Sequence, residues 1–298
     1  MSDGAPAVHR VHGPSALGGD LRRFWALTFT LARTEFKLRF YGSVLGYVWT
    51  LVRPLLLFGV LWVVFTVIAN VNHSGAGGRF PGAEQFRGAQ LLASIILFTF
   101  FTEATGGAVR SVVDREGLVR KVRFPRLAIP MSIVLLALFN LCLNLIVVFI
   151  FALAEGVRPQ LSWLELPLLL GVLIFFAAGV AMLLSALFVH FRDIQPIWEV
   201  VLQVLMYASP IIISLPTVLA YVESHHNPHA VFKVYMLNPL VTIFQQFRHA
   251  IITHATPTPM EAVGGWGIPI ASMVLVVAVF VVGFAVFNRA ATRIAENL

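Results

Sequence analysis

The sequence predicts an all-α integral membrane protein, in which six transmembrane helices follow an N-terminal helix lying on the membrane surface. Three observations predict it. The 298 residues are 58% hydrophobic and 12% charged, with a mean hydropathy of +0.86, which is more apolar than a soluble domain. Six apolar runs come near or exceed the roughly 20 residues needed to cross the hydrocarbon core; they cover about 44–71, 88–109, 127–154, 164–190, 196–213 and 267–289. Lys and Arg are also distributed unevenly around those runs.

Residues 1–19, rich in Gly, Ala, Pro and His, read as a disordered tail. The next segment, 20–40, opens with an apolar stretch too short to span and closes with Arg33, Glu35, Lys37 and Arg39, so an interfacial helix fits. Its apolar part ends in charge rather than a small-residue cleavage site, which argues against a signal peptide. Glu35 and Arg39 stand four apart in the order that supports a helix locally. Two readings of this helix stay open: an anchor that sets topology, or a cationic surface that receives an anionic lipid head group.

The chain continues into the first span through Gly42 and Gly46, a spacing that permits close helix approach. That span is long enough to tilt or project. Arg53 precedes Pro54 near the inner boundary, where it can snorkel. The aromatics Tyr47, Trp49, Phe58, Trp62 and Phe65 run along the same helix. They fit either an interfacial belt with lipid or core contacts, or a surface on which sugars stack.

The second span carries one carboxylate, Glu103, among Thr102, Thr105, Gly106 and Gly107. A charge at that depth faces a protein interior or a wet cavity, and a local structural hydrogen bond is the simpler role. Between the second and third spans, 110–126 mixes Arg115, Glu116, Arg120, Lys121 and Arg123 with the apolar Leu118, Val119, Val122 and Phe124. A solvated loop does not need those apolar positions, whereas docking onto a partner does. Cys142 lies inside the third span and is the only cysteine, so no disulfide framework or thiolate metal site is available.

After the fourth span, Arg192 and Asp193 mark a short charged turn. Pro196 and Pro210 bracket the fifth span tightly. The segment 214–266 is more than a loop. Asn238-Pro239 is a strong helix start, and Leu240, Phe244, Phe247 and Ile251 then recur at helical spacing opposite Gln245, Arg248 and His249. That helix is too short to cross, so it lies in the outer interface or dips back as a hairpin. His225, His226 and His229 read as a polar outer loop rather than a metal site.

Sixteen of the 21 Lys and Arg residues fall before the first span, in 110–126, at Arg192 or after the sixth span, and five fall in the intervening segments. This places both termini and 110–126 in the cytoplasm. The net +7 charge is therefore juxtamembrane, where each cation attracts anionic lipid by about 1 kcal/mol. It does not point to nucleic acid. The nucleotide-binding G-x-x-x-x-G-K-[ST] loop, H-E-x-x-H and the Gly-x-Ser-x-Gly turn are all missing from the sequence, as is any long internal repeat of the secondary-transporter kind.

Four segments, in order, resemble the membrane subunit of type-2 ABC exporters, specifically the polysaccharide and teichoic-acid (O-antigen-type) export permeases. They are LRFYGSVLGYVWTLVRPLL at 38–56, GLVRKVRFPRLAIP at 117–130, FRDI at 191–194 and LNPLVTIFQQFRHAI at 237–251. The resemblance runs from about residue 20 to the end. It implies a homodimer in a bacterial inner or plasma membrane, joined by two cytoplasmic ABC ATPase subunits. ATP and Mg would belong to those subunits, with no cofactor on this chain.

It further implies a channel between the two copies, lined partly by the first and fifth spans, which adds Tyr207 to the aromatics above. Residues 110–126, with Arg192 and Asp193, match the coupling element that docks on the ATPase. The outer segment matches paired re-entrant helices. The interfacial helix matches the entrance, where Arg33, Lys37, Arg39 and Arg53 would meet a polyprenyl pyrophosphate-linked glycan. Arg offers forked hydrogen bonds to such a phosphate. A membrane enzyme acting on polyprenyl-linked sugars and an ion-coupled carrier are the competing classes. The first lacks an acid-base or metal cluster, and the second rests on Glu103 alone. Heavy use of Arg over Lys with abundant Ala and Val suggests a high-GC source such as an actinobacterium, and a cell-wall galactan precursor as cargo.

Overall fold

The computed structural model describes residues 21–39, 41–42, 46, 48–64, 82, 86–117, 125–224 and 229–291. Every regular element among them is helical. Four helices are long and apolar enough to cross a membrane: Arg87–Asp114, Ala128–Ala154, Leu161–His190 and Gly267–Ala291. The chain is a multi-pass membrane protein. Two further apolar helices, Val48–Val63 and Ile194–Tyr207, are shorter.

The surface helix α1 (Leu21–Arg39) buries Phe24, Thr28 and Ala32, one residue every four, which is the stripe a helix needs to lie against a flat support. α2 (Val48–Val63) contains Pro54, whose ring removes one intrahelical hydrogen bond. α3 (Arg87–Asp114) is the centre of the bundle and is buried along most of its length. α4 (Ala128–Ala154) and α5 (Leu166–His190), the latter entered through a 3-10 turn at Leu161–Glu165, pack against it. α6 (Ile194–Tyr207) also leans on α3, and α11 (Gly267–Ala291) on α5.

Gly179 of α5 and Gly283 of α11 let those two backbones meet. A Cβ at Gly179 would lie 2.6 Å from the Cα of Phe280, so any side chain there pushes the helices apart. The remaining helices gather at one end: α7 (Leu215–Ser224), α8 (His229–Leu237), α9 (Pro239–Phe247) with a π-helical turn at Arg248–Ile252, and α10 (Pro259–Val263). We call this the hairpin end. At the opposite, basic end, Phe24, Val112, Ile129, Met182, Ala186 and Phe287 form a separate apolar cluster that seats α1 on the bundle.

Three expectations change. Gly42 and Gly46 are not a helix-packing pair: both have positive φ (76° and 43°), a region glycine enters freely, and they form a break between α1 and α2. The fifth-span helix stops at Tyr207 rather than reaching 213, because Pro210 biases Ser209 away from helix. Pro210 also lacks the N–H that would continue the ladder. Finally, Glu35 and Arg39 do not pair with each other; each takes a partner from another helix.

Candidate functional site

The first cluster lies at the basic end, where α1 crosses α3 and α4. An Arg39 Nη2 stands 3.6 Å from Glu103 Oε1, and Asn140 Nδ2 donates to Glu103 Oε2 at 2.6 Å. Next to it, the Arg115 guanidinium donates to Glu35 and, at 3.1 Å, to Ser132 Oγ. Between the pairs is a cavity of about 630 Å³, lined by Glu35, Leu38, Arg39, Glu103, Gly107 and Ile133 among others. Gly107 is required there, since a Cβ would lie 2.9 Å from Ile133 Cγ2. Phe29 and Phe36 close the contact edge-on against Phe139 of α4.

The four cations expected at the entrance are not brought together. Arg33 and Lys37, four residues apart, share the exposed face of α1. Arg39 lies on the opposite side of the helix with Glu35 and, though itself exposed, reaches Glu103 of α3. Arg53 is exposed on α2. Glu103 uses one oxygen on Asn140 and the other on Arg39, in keeping with a structural hydrogen-bonding role.

Among the aromatics expected to line a path, Trp49 and Tyr207 are exposed (43% and 75%), and Trp62 is half-buried. Phe58 differs. It is buried with its ring edge-on to Phe151 of α4 at 5.2 Å, so it belongs to the core and presents no face to a passing chain. Tyr47 and Phe65 lie outside the described residues.

Of the expected ATPase contacts, Leu118, Arg120, Lys121, Arg123 and Phe124 lie outside the described residues. Arg115 faces inward to Glu35 and Ser132 rather than outward to a partner. Glu116 is half-buried. Arg192 and Asp193 are exposed, with the Arg192 guanidinium 5.2 Å above the Phe188 ring. Arg126, at the start of α4, is buried, and desolvation lowers its pKa.

The second cluster is at the hairpin end. Gln245 and Arg248, on the polar side of α9 opposite Leu240, Phe244 and Phe247, are buried. Gln245 Nε2 donates to the Pro257 carbonyl at 2.7 Å. Arg248 Nε donates to Ser94 Oγ of α3 at 3.0 Å, and an Nη2 hydrogen goes to the Pro210 carbonyl just beyond α6. Asn238 caps α9 by accepting from the Leu240 N–H, and its Nδ2 donates to the Ala208 carbonyl at 3.2 Å. The segment therefore dips back into the bundle. The side chains of His225, His226 and His229 lie outside the described residues.

Three titrating groups at this end are perturbed. Burial pushes the Tyr235 phenol up, partly opposed by Arg248. Burial also raises Glu155, although its carboxylate accepts from the backbone N–H groups of Ala89 and Gly88 and so caps α3. Glu261 is lowered chiefly by the Thr258 N–H, its partner in the capping box that starts α10.

With both ends built, the chain can be set beside known proteins. Residues 26–252 match the ABC-2 type transporter family. The chain belongs to that family. It is the membrane subunit of an ABC transporter, not an enzyme, and as such works with an ATPase partner. Two curated relatives carry the name O-antigen export system permease protein RfbA. The Myxococcus xanthus protein is 27% identical over 238 residues, covering 80% of this chain and 85% of the relative. A Klebsiella pneumoniae protein is 23% identical over 273 residues, covering 91% and 95%.

Sequence reasoning about this ABC-2 chain missed Ser94, Ser132 and Asn140 as partners of charged groups. A signal for them existed. Each is a polar residue inside a mostly apolar helix, where an unsatisfied polar group is expensive.

Proposed function

We propose that this chain is the permease subunit of an ATP-driven exporter whose cargo is a polysaccharide joined to a polyprenyl pyrophosphate carrier. The observation that carries this reading is the two-sided character of α1. One side is fixed to the bundle by Glu35–Arg115 and Arg39–Glu103, while the other presents Arg33 and Lys37 at the basic end. A helix seated in this way keeps its exposed cations at the basic end, where they meet the pyrophosphate and hold it out of the lipid. The names of the two relatives agree with a glycan cargo.

A second copy completes the path. Ile197, Val200, Val204 and Tyr207 form an exposed stripe on α6, and Trp49, Leu56, Val60 and Val63 form another on α2. These faces, unpartnered in one chain, suit a homodimer in which α2 and α6 supply the first and fifth of six spans. Two cytoplasmic ATPases dock at 110–126 with Arg192 and Asp193, and both termini lie on the cytoplasmic side of a bacterial inner or plasma membrane. A cell-wall galactan precursor is the first cargo to try, with O-antigen and teichoic-acid precursors beside it.

The experiment is transport in proteoliposomes holding the permease and its ATPase. A glycan on polyprenyl pyrophosphate is expected to cross only with ATP. The same glycan without the lipid pyrophosphate is expected to stay. Equal movement of the free glycan, or movement of the lipid-linked one without the ATPase, contradicts the proposal.

A further inference from the structure

Arg248 is 2% exposed, and a guanidinium in so dry a place must be held by several partners or it destabilises the fold. It donates to two neutral groups from distant parts of the chain: Ser94 Oγ of α3 at 3.0 Å, 154 residues away, and the Pro210 carbonyl beyond α6, 38 residues away. The carbonyls of a helix's last turn and the residues after it lack intrahelical donors. Here Arg248, the C-cap of α9, serves Pro210, and Asn238, the N-cap of the same helix, serves Ala208. The end of α6 is thus gripped from both ends of α9.

Elsewhere α6 is held by side-chain packing and, among the described residues, one polar contact to another helix near its start, from Trp198 Nε1 to Thr105 Oγ1 at 3.1 Å. Apolar contacts tolerate sliding, whereas a guanidinium aimed at a carbonyl and a hydroxyl does not. Arg248 also opens a π-helical turn, with Thr253 N–H donating to the Arg248 carbonyl at 3.0 Å. Such turns are rare and concentrate at functional positions.

The structure assigns Arg248 the role of a positioning residue that, with Asn238, makes α9 and the end of α6 one mechanical unit seated on α3. Through the nucleotide cycle of the ATPase, the segments 205–214 and 237–253 respond together. This mechanical role is independent of which cargo is carried.

Hydrogen–deuterium exchange on the assembled permease–ATPase complex tests it, comparing nucleotide-free and ATP-trapped states. In the wild type, backbone amides of 205–214 and 237–253 are expected to change together or not at all; a change confined to one of them overturns the assignment without any mutant. In Arg248→Met, which fills the site with apolar atoms, exchange in both segments rises while the ATPase stays bound, and export per ATP hydrolysed falls about tenfold. Arg248→Lys, which keeps the charge, restores part of that ratio. Should the Met variant fail to assemble, the wild-type comparison still decides. Unchanged export per ATP in an assembled variant contradicts the role.

Discussion

The two polar clusters solve the same problem in opposite ways. At the basic end, α1 is joined to the bundle by two ion pairs that water still reaches: Arg39 and Glu103 are 37% and 27% exposed, and Arg115 and Glu35 are 16% and 33% exposed. At the hairpin end, the dry guanidinium of Arg248 donates to the Ser94 hydroxyl and the Pro210 carbonyl. Partly solvated pairs contribute little each and exchange partners easily. A buried guanidinium, by contrast, leaves its acceptors unserved when it goes. The difference separates a surface that can yield to an anionic visitor from a joint that must keep its shape.

The comparison breaks most visibly at Arg248. Arg248→Ala should cost about 3 kcal/mol, from the cavity and the unbonded Ser94 and Pro210 groups. Thermal unfolding in lipid nanodiscs reads this, with Arg248→Met expected to recover much of the loss.

A smaller effect is expected at the basic end. Glu103→Gln retains an acceptor for Asn140 but removes the counter-charge of Arg39, at about 1 kcal/mol or less. Amide exchange along α1 should rise modestly. In about 0.5 M salt, where screening acts within roughly 4 Å, the wild type should approach the variant at α1 while α9 stays protected. Loss of protection at both ends would remove the distinction.

The smallest change is expected outside both clusters, at the capping box of α10. Glu261 has a folded pKa below its ordinary 4.5, so its contribution is present above that value and is lost as pH falls through the depressed one. Thr258→Ala should cost about 0.5 kcal/mol, the low end for an exposed cap. Glu261→Gln, which removes the titrating group, should flatten the acid dependence of exchange at 259–263.

Much of the fold was legible in the chain. The four long helices are apolar over 25 or more residues with few charges, and no globular alternative accommodates that. α1 was legible because its apolar stretch is too short to span and ends in charge. Its internal arrangement followed from the same period: at about 100° per residue, Arg39 falls opposite Arg33 and Lys37, so a shared cationic face was never available to all three. The break at Ser209-Pro210 was equally readable.

What the sequence could not show was tertiary competition. The favourable Glu35–Arg39 spacing lost to Arg115 and Glu103, which arrive from segments 80 and 64 residues away. Likewise the polar face of α9 was legible but its cover was not, because the partners that take up Arg248 lie on α3 and beyond α6. Local periodicity marks where a polar face is, and only the packed chain tells whether water or protein covers it.

The most direct test of the account is export of a polyprenyl pyrophosphate-linked glycan by the paired charge reversal Arg33→Glu with Lys37→Glu, neither of which helps seat α1. The account predicts loss of export with the ATPase still bound and still hydrolysing ATP. Export at the wild-type rate by the doubly reversed protein would contradict it.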